Sequence, residues 1–179
     1  MNAQLLLQKI PAINDWIQHT VAAHSSRARP LHEYAFPRLA DFYSAETLDS
    51  ARVITVPRVP VPPLTAMGLA EFSRFENGDY RGITYLNTYF LQNEAASDES
   101  LHFHELVHVV QWQHLGPDRF LLGYALGYLL AGGYRANPFE DMAFNLQAKF
   151  DENAASFKAE PVIRQQLDQL VPALLDRAR

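Results

Sequence analysis

The sequence predicts an α+β fold, mostly helical, with a small antiparallel sheet, and three observations carry that expectation. Long segments around residues 5–21, 98–115, 138–150 and 161–175 have the apolar spacing or capping chemistry of helices. Two shorter segments, 52–56 and 82–91, are rich in β-branched and aromatic residues. The chain has 179 residues and no internal repeat, which suits one domain with a real core. That domain divides into a helical N-terminal arm over 1–50, the sheet and central helices over 51–150, and a C-terminal helix over 151–179.

At the N-terminus, Leu6, Ile10, Ile13, Ile17 and Val21 recur at helical spacing, and Pro11 between them predicts a short helix feeding a second one near Trp16. Ser25, Ser26 and Arg29-Pro30 supply turn chemistry, so an irregular stretch toward Pro37 is expected. Ser44, with Glu46 in the first turn, predicts a brief helix over Ala45 to Ser50. Arg52 to Val56 is a strand by β-branched content and ends at proline. Pro57, Pro60, Pro62 and Pro63 make the next stretch a stiff, extended connector, since a central strand needs the N–H groups they lack. Asn77-Gly78-Asp79 marks a turn before Gly82 to Leu91, the strongest strand, and the two together predict an antiparallel pairing.

Ser97 is placed to cap the next helix, Asp98 and Glu99 suit its first turn, and Gly116-Pro117 is expected to end it. Phe120 to Tyr134 is then free of charge; as a helix it spans only about 22 Å, short of the roughly 30 Å of a bilayer core. A buried helix is therefore expected there, with no membrane insertion. Asn137-Pro138 opens a further helix whose buried stripe is Phe139, Met142, Ala143, Leu146 and Phe150. Val162, Ile163, Leu167, Leu170, Val171 and Leu174 give the last helix its apolar face, with a kink expected at Pro172.

Composition excludes several functions. Hydrophobic residues at 48% and charged residues at 20% are ordinary for a soluble globular protein. A formal charge of −5 without any Lys/Arg block argues against a nucleic-acid surface and against docking on anionic lipid. The absence of cysteine removes disulfides, thiol nucleophiles and Cys-held zinc together, leaving His and carboxylates for any metal. The first residues, Met1 to Lys9, lack a basic segment followed by a long apolar core and a cleavage site, so a cytoplasmic protein is expected.

One motif carries chemistry: His104-Glu105-Leu106-Val107-His108, within the helix predicted from residue 98. Two histidines four apart stand on one face a turn apart, so both imidazoles reach a single Zn²⁺ ion, and Glu105 beside them is placed for general acid/base work on water. Composition alone gives roughly 0.015 chance occurrences of this pattern in such a chain. On a helical wheel His102 and His114 fall outside the arc of the pair, which assigns them surface or supporting roles.

Catalytic zinc takes three protein ligands and keeps a position open, and beyond His114 no histidine remains, so the third ligand must be a carboxylate. Asp118, Glu140, Asp141, Asp151, Glu152 and Glu160 are the nearer candidates. Glu140 flanks the buried stripe of its helix while Asp141 faces away, which favours Glu140. Glu140 also stands three residues after Asn137, the position of a capping box, and so has two competing roles. Ligation requires the glycine-bearing, uncharged 120–134 run to fold back and bring the two helices together.

With these residues in place, the chain resembles the gluzincin branch of the zinc metallopeptidases, of which thermolysin is the best-known member, over roughly residues 82 to 150. It is also similar to small bacterial proteins with a minimal gluzincin-like core. The resemblance implies a zincin-like domain in which His104, His108 and Glu140 bind Zn²⁺, Glu105 activates water, and the strand from Gly82 lies at the sheet edge above the motif helix. It further implies a peptide substrate pairing with that edge by strand addition. A tetrahedral oxyanion needs a donor besides the metal. Tyr134 and Arg135, just before the ligand helix, are the candidates, and Tyr85, Asn87 and Tyr89 are candidates for holding substrate. The expected activity is peptide-bond hydrolysis, falling in acid as His104 and His108 protonate and release metal. The competing expectation is a non-enzymatic zinc-binding module with a structural or sensing role.

Overall fold

The computed structural model describes residues 3–152 and 155–178; residues 1 and 2, on which part of the leader reading falls, and residues 153, 154 and 179 lie outside the described residues. In chain order the regular elements are α1 (Ala3–Ala23), β1 (Arg29–Pro30), α2 (Ala45–Ser50), β2 (Arg52–Val56), α3 (Ser73–Glu76), β3 (Gly82–Tyr85), β4 (Thr88–Gln92), α4 (Glu99–Ala131), α5 (Pro138–Asp151) and α6 (Ala159–Arg177). The α+β expectation holds, with helix dominating.

The single expected break at Pro11 is absent, because α1 runs through it. Proline removes the bond to the carbonyl four residues back, here that of Leu7. Both Leu7 and Pro11 lie on the solvent side, where water can satisfy that carbonyl. The opposite face, Leu6, Ile10, Ile13 and Ile17, is buried. Pro172 likewise lies inside a continuous helix, α6, whose buried residues include Ile163, Leu167, Val171 and Leu174.

The four strands are ordered β1-β2-β4-β3. In place of the wholly antiparallel sheet expected, β1 with β2 and β3 with β4 are antiparallel but β2 and β4 run parallel, so the sheet is mixed. The chain leaves β2 through the proline-rich connector and α3 and returns on the far side of β4's place, which a tight turn could not do. The stretch expected as one strand from Gly82 to Leu91 is two, β3 and β4, reversing at Leu86-Asn87, where Leu86 takes a left-handed φ of 61°. Asn77-Gly78 is not that turn; it ends α3. As the inner strand, β4 is buried from Thr88 to Leu91, whereas β3 is an edge.

The motif helix is capped by Asp98, whose carboxylate accepts from Leu101 N at 3.2 Å, one residue later than the expected Ser97. Helical geometry is interrupted where expected, at Gly116 (φ 72°, ψ 166°), and a second segment restarts at once from Pro117. Among the described residues no helix is long and apolar enough to cross a membrane. The second segment of α4 instead lies under α5, and its glycines set the approach. A Cβ at Gly127 would stand 2.5 Å from Asn137 Oδ1, and one at Gly123 would stand 2.9 Å from the Phe139 ring. The buried stripe of α5 is the one predicted, and it joins the motif helix, sheet and α6 in a continuous apolar core.

Candidate metal centre

Three side chains meet at the crossing of α4 and α5. His104, His108 and Glu140 are all buried, and their ligand atoms lie within 4.8 Å of one another. His104 Nε2 stands 3.2 Å from His108 Nε2 and 3.4 Å from Glu140 Oε2, and His108 Nε2 stands 3.4 Å from Glu140 Oε1. Zinc bonds to N and O are about 2.0–2.1 Å in a tetrahedron, whose edges are then roughly 3.3–3.4 Å. The two imidazole nitrogens therefore lie near tetrahedral edge spacing, and each has one oxygen of the Glu140 carboxylate at 3.4 Å, a different oxygen for each. Glu140 Oε2 is buried without a hydrogen-bond partner. A buried carboxylate oxygen left this way is costly unless a cation faces it, so the group fits a divalent ion.

Both imidazoles are oriented by amides. His104 Nδ1–H donates to Gln147 Oε1 at 3.0 Å, and Gln147 Nε2 in turn donates to Ser100 Oγ at 2.8 Å. His108 Nδ1–H donates to Gln111 Oε1 at 2.8 Å, while Gln111 Nε2 donates to the Phe139 carbonyl at 3.1 Å. An amide oxygen can only accept, so it fixes each proton on Nδ1 and leaves each Nε2 lone pair for the metal. On α5, Glu140, Phe144 and Gln147 recur four and three residues apart on one face, where Phe144 packs its ring 4.6 Å from that of His104.

The competition between ligation and capping at Glu140 is resolved by its neighbours. Asn137 caps α5 by accepting from Phe139 N at 3.2 Å, and its own N–H is taken by the Tyr134 carbonyl at 3.0 Å. Glu140 is thus free to turn inward, where Tyr124 donates to its Oε1 at 2.7 Å. Burial alone raises a carboxyl pKa, but His108 and His104 outweigh it and hold Glu140 far below the usual carboxylate range. Burial likewise would lower His108; the Glu140 carboxylate overrides that and raises it to about 9. The site draws positive charge.

Glu105 lies under the edge strand. Its Oε2 accepts from Thr84 Oγ1 at 2.6 Å, and a Cβ at Gly82 would stand 2.2 Å from its Oε1, so any larger residue there would displace the carboxylate. Burial pushes its carboxyl above the ordinary range, more than the two histidines and Thr84 pull it down. A carboxyl with raised proton affinity suits taking a proton from a neighbouring group.

The remaining candidates divide. Tyr134 is half-buried in the cavity wall beside the triad; burial first, then Glu140 and Glu105, raise its phenol pKa. Arg135 is exposed and stacks on Phe144, 3.7 Å from the ring centroid, outside the cavity lining. Tyr85 lines the cavity with its ring, but its hydroxyl donates to the Pro60 carbonyl at 2.7 Å. Tyr89 is buried and bonds His102 Nδ1 at 2.7 Å, and Asn87 donates to the Ser50 carbonyl at 2.9 Å. Neither Tyr89 nor Asn87 lines the cavity. Of the other carboxylates, Asp118, Asp141, Asp151 and Glu152 are exposed, and Glu160 binds Ser44. His102 is fully buried in a structural role, and His114 pairs with Asp168 at 2.7 Å.

Thr84, Gln111, Tyr124 and Gln147 were not singled out from sequence. Gln111, one helical turn after His108, carried a usable spacing signal; Thr84 and Tyr124 are brought in only by tertiary packing. Comparisons with protein-family models, with curated proteins and with solved structures each returned no match.

Proposed function

We propose that this protein is a zinc-dependent peptidase of gluzincin type, with His104, His108 and Glu140 as the metal ligands. The observation that carries the reading is the convergence of three buried donors, their ligand atoms within 4.8 Å of one another, with Glu105 beside them. Zinc held there would supply Lewis-acid polarisation of a carbonyl and acidify water. Glu105, kept ionisable by the hydrogen bond from Thr84, takes the proton of the attacking water and passes it to the leaving nitrogen. Gln147 and Gln111 hold the imidazoles in register, and Tyr124 fixes the Glu140 carboxylate. Tyr134, half-buried at the triad, is the donor best placed to steady a developing oxyanion; Arg135, committed to Phe144, is not.

The test is Glu105→Gln in zinc-loaded protein against a broad peptide library. The variant is expected to keep one zinc per chain by metal analysis and to lose turnover. Cleavage as fast as wild type would refute the mechanism. A folded, zinc-loaded wild type that cleaves nothing would leave a metal-binding module as the function.

A further inference from the structure

Two of the triad residues, His108 and Glu140, line an apolar chamber of about 110 Å³, whose walls decide what can reach them. Glu105, His108 and Glu140 face into this chamber, and its far wall is α1 through Leu6, Ile10, Ile13 and Ile17. No lysine, arginine or further acidic side chain is among the described residues lining it. Its polar groups are largely spoken for. Tyr80 donates to the Phe75 carbonyl at 3.0 Å, Tyr85 to Pro60, Tyr124 to Glu140, and the Thr84 hydroxyl to Glu105. Trp112 Nε1 donates to the Thr84 carbonyl at 3.1 Å. Away from the triad and Tyr134, a ligand entering here finds surface and almost no hydrogen-bonding side chain.

The edge strand is engaged in the same way. Adding a strand to β3 requires its outward backbone groups, and one of them, the Thr84 carbonyl, is taken by Trp112. An added strand would therefore find the Thr84 carbonyl already bonded, while the chamber offers an apolar seat.

We infer that the site takes a small ligand whose polar group meets the metal centre and whose short, uncharged aliphatic tail lies in the chamber against α1, in place of a peptide held as an added strand. This rests on the proposed metal site. An apolar cavity of roughly 150 Å³ holds benzene, so this chamber seats a tail of about four or five carbons. Substrates are then amides or short peptides whose reacting carbonyl adjoins a group of that size.

The experiment uses zinc-loaded full-length protein and a series of straight-chain alkyl hydroxamates from acetohydroxamate to octanohydroxamate, read by calorimetry and, in a Trp16→Phe background, by the emission of Trp112, which lines the chamber. Affinity is expected to tighten about fourfold per added methylene until the chamber is full, then level or fall. Ala125→Leu, which adds bulk to one wall, should move the optimum to shorter tails. Equal affinity across the series, with acetohydroxamate binding, would overturn the inference and leave the zinc site standing, as would an optimum that Ala125→Leu does not move. A tripeptide hydroxamate binding far more tightly than its matching alkyl compound would restore strand addition. Failure of acetohydroxamate itself to bind the zinc-loaded protein would overturn the open metal site and this inference with it.

Discussion

Thr84→Val isolates the contact that governs Glu105. Valine keeps the shape of threonine and leaves the Thr84 carbonyl to Trp112, but removes the 2.6 Å hydrogen bond to Glu105 Oε2 and the weaker 3.3 Å contact to the Glu105 carbonyl. A hydrogen bond to a charged group contributes about 1.5–3 kcal/mol. Because Thr84 favours the ionised carboxylate, losing it should raise the Glu105 pKa by roughly one to two units. The sign for stability follows. Burial already holds the folded pKa above the ordinary value, so the folded state binds the proton more tightly and loses stability as pH climbs through the folded pKa. The variant's extra deficit is thus slight near pH 4 and grows toward about 1.5–3 kcal/mol once the carboxyl ionises. Carbon-13 NMR of the Glu105 carboxyl gives the titration, and urea unfolding at one pH below and one above that titration gives the deficit. An unmoved titration, or a deficit equal at both pH values, would refute the argument that Thr84 tunes this group.

Two further substitutions probe the supports. Gln111→Ala frees His108 Nδ1–H and removes the side-chain donor from the Phe139 carbonyl, and zinc affinity should fall about 10- to 100-fold in chelator competition; unchanged affinity would mean that packing alone orients His108. His102 lies buried between Tyr89, which donates to Nδ1, and the Ala96 carbonyl, which accepts from Nε2–H, and burial lowers its pKa. A neutral ring is therefore favoured in the fold, so its contribution is full above the unfolded pKa of about 6.5 and is lost as pH falls below it. His102→Gln should flatten that part of the acid limb in urea titrations, and an equally steep limb would place the acid sensitivity elsewhere.

What sequence could reveal followed local rules. The two histidines and Glu105 share a helix turn, so their convergence needs no tertiary information. Glu140 was reachable because the stripe of α5 fixes which side of that helix is buried, and because the glycines of the preceding run announce close packing. The parallel pairing of β2 with β4 was not legible, since partner choice depends on where the chain travels between strands. Leu86 hid the hairpin: a bulky residue at positive φ carries none of the glycine or asparagine signal that marks a reversal. Tyr85 and Tyr89 looked available as strand residues, but their hydroxyls are satisfied by Pro60 and His102 from distant segments.

The structure ties the metal donors to the fold through α5. Asn137 caps its N-terminus and donates from Nδ2 to the Tyr124 carbonyl at 3.2 Å, while Gly127 gives Asn137 the room to sit there. The same tyrosine uses its hydroxyl to hold Glu140, so the helix start, the glycine-lined crossing and the third donor form one mechanical unit. From that start, one helical face delivers Glu140 to both imidazoles and Gln147 to His104. A capping glutamate would have spent its carboxylate on the backbone; here the Tyr134 carbonyl takes the Asn137 N–H, and that exchange is what frees a buried negative charge to meet a cation.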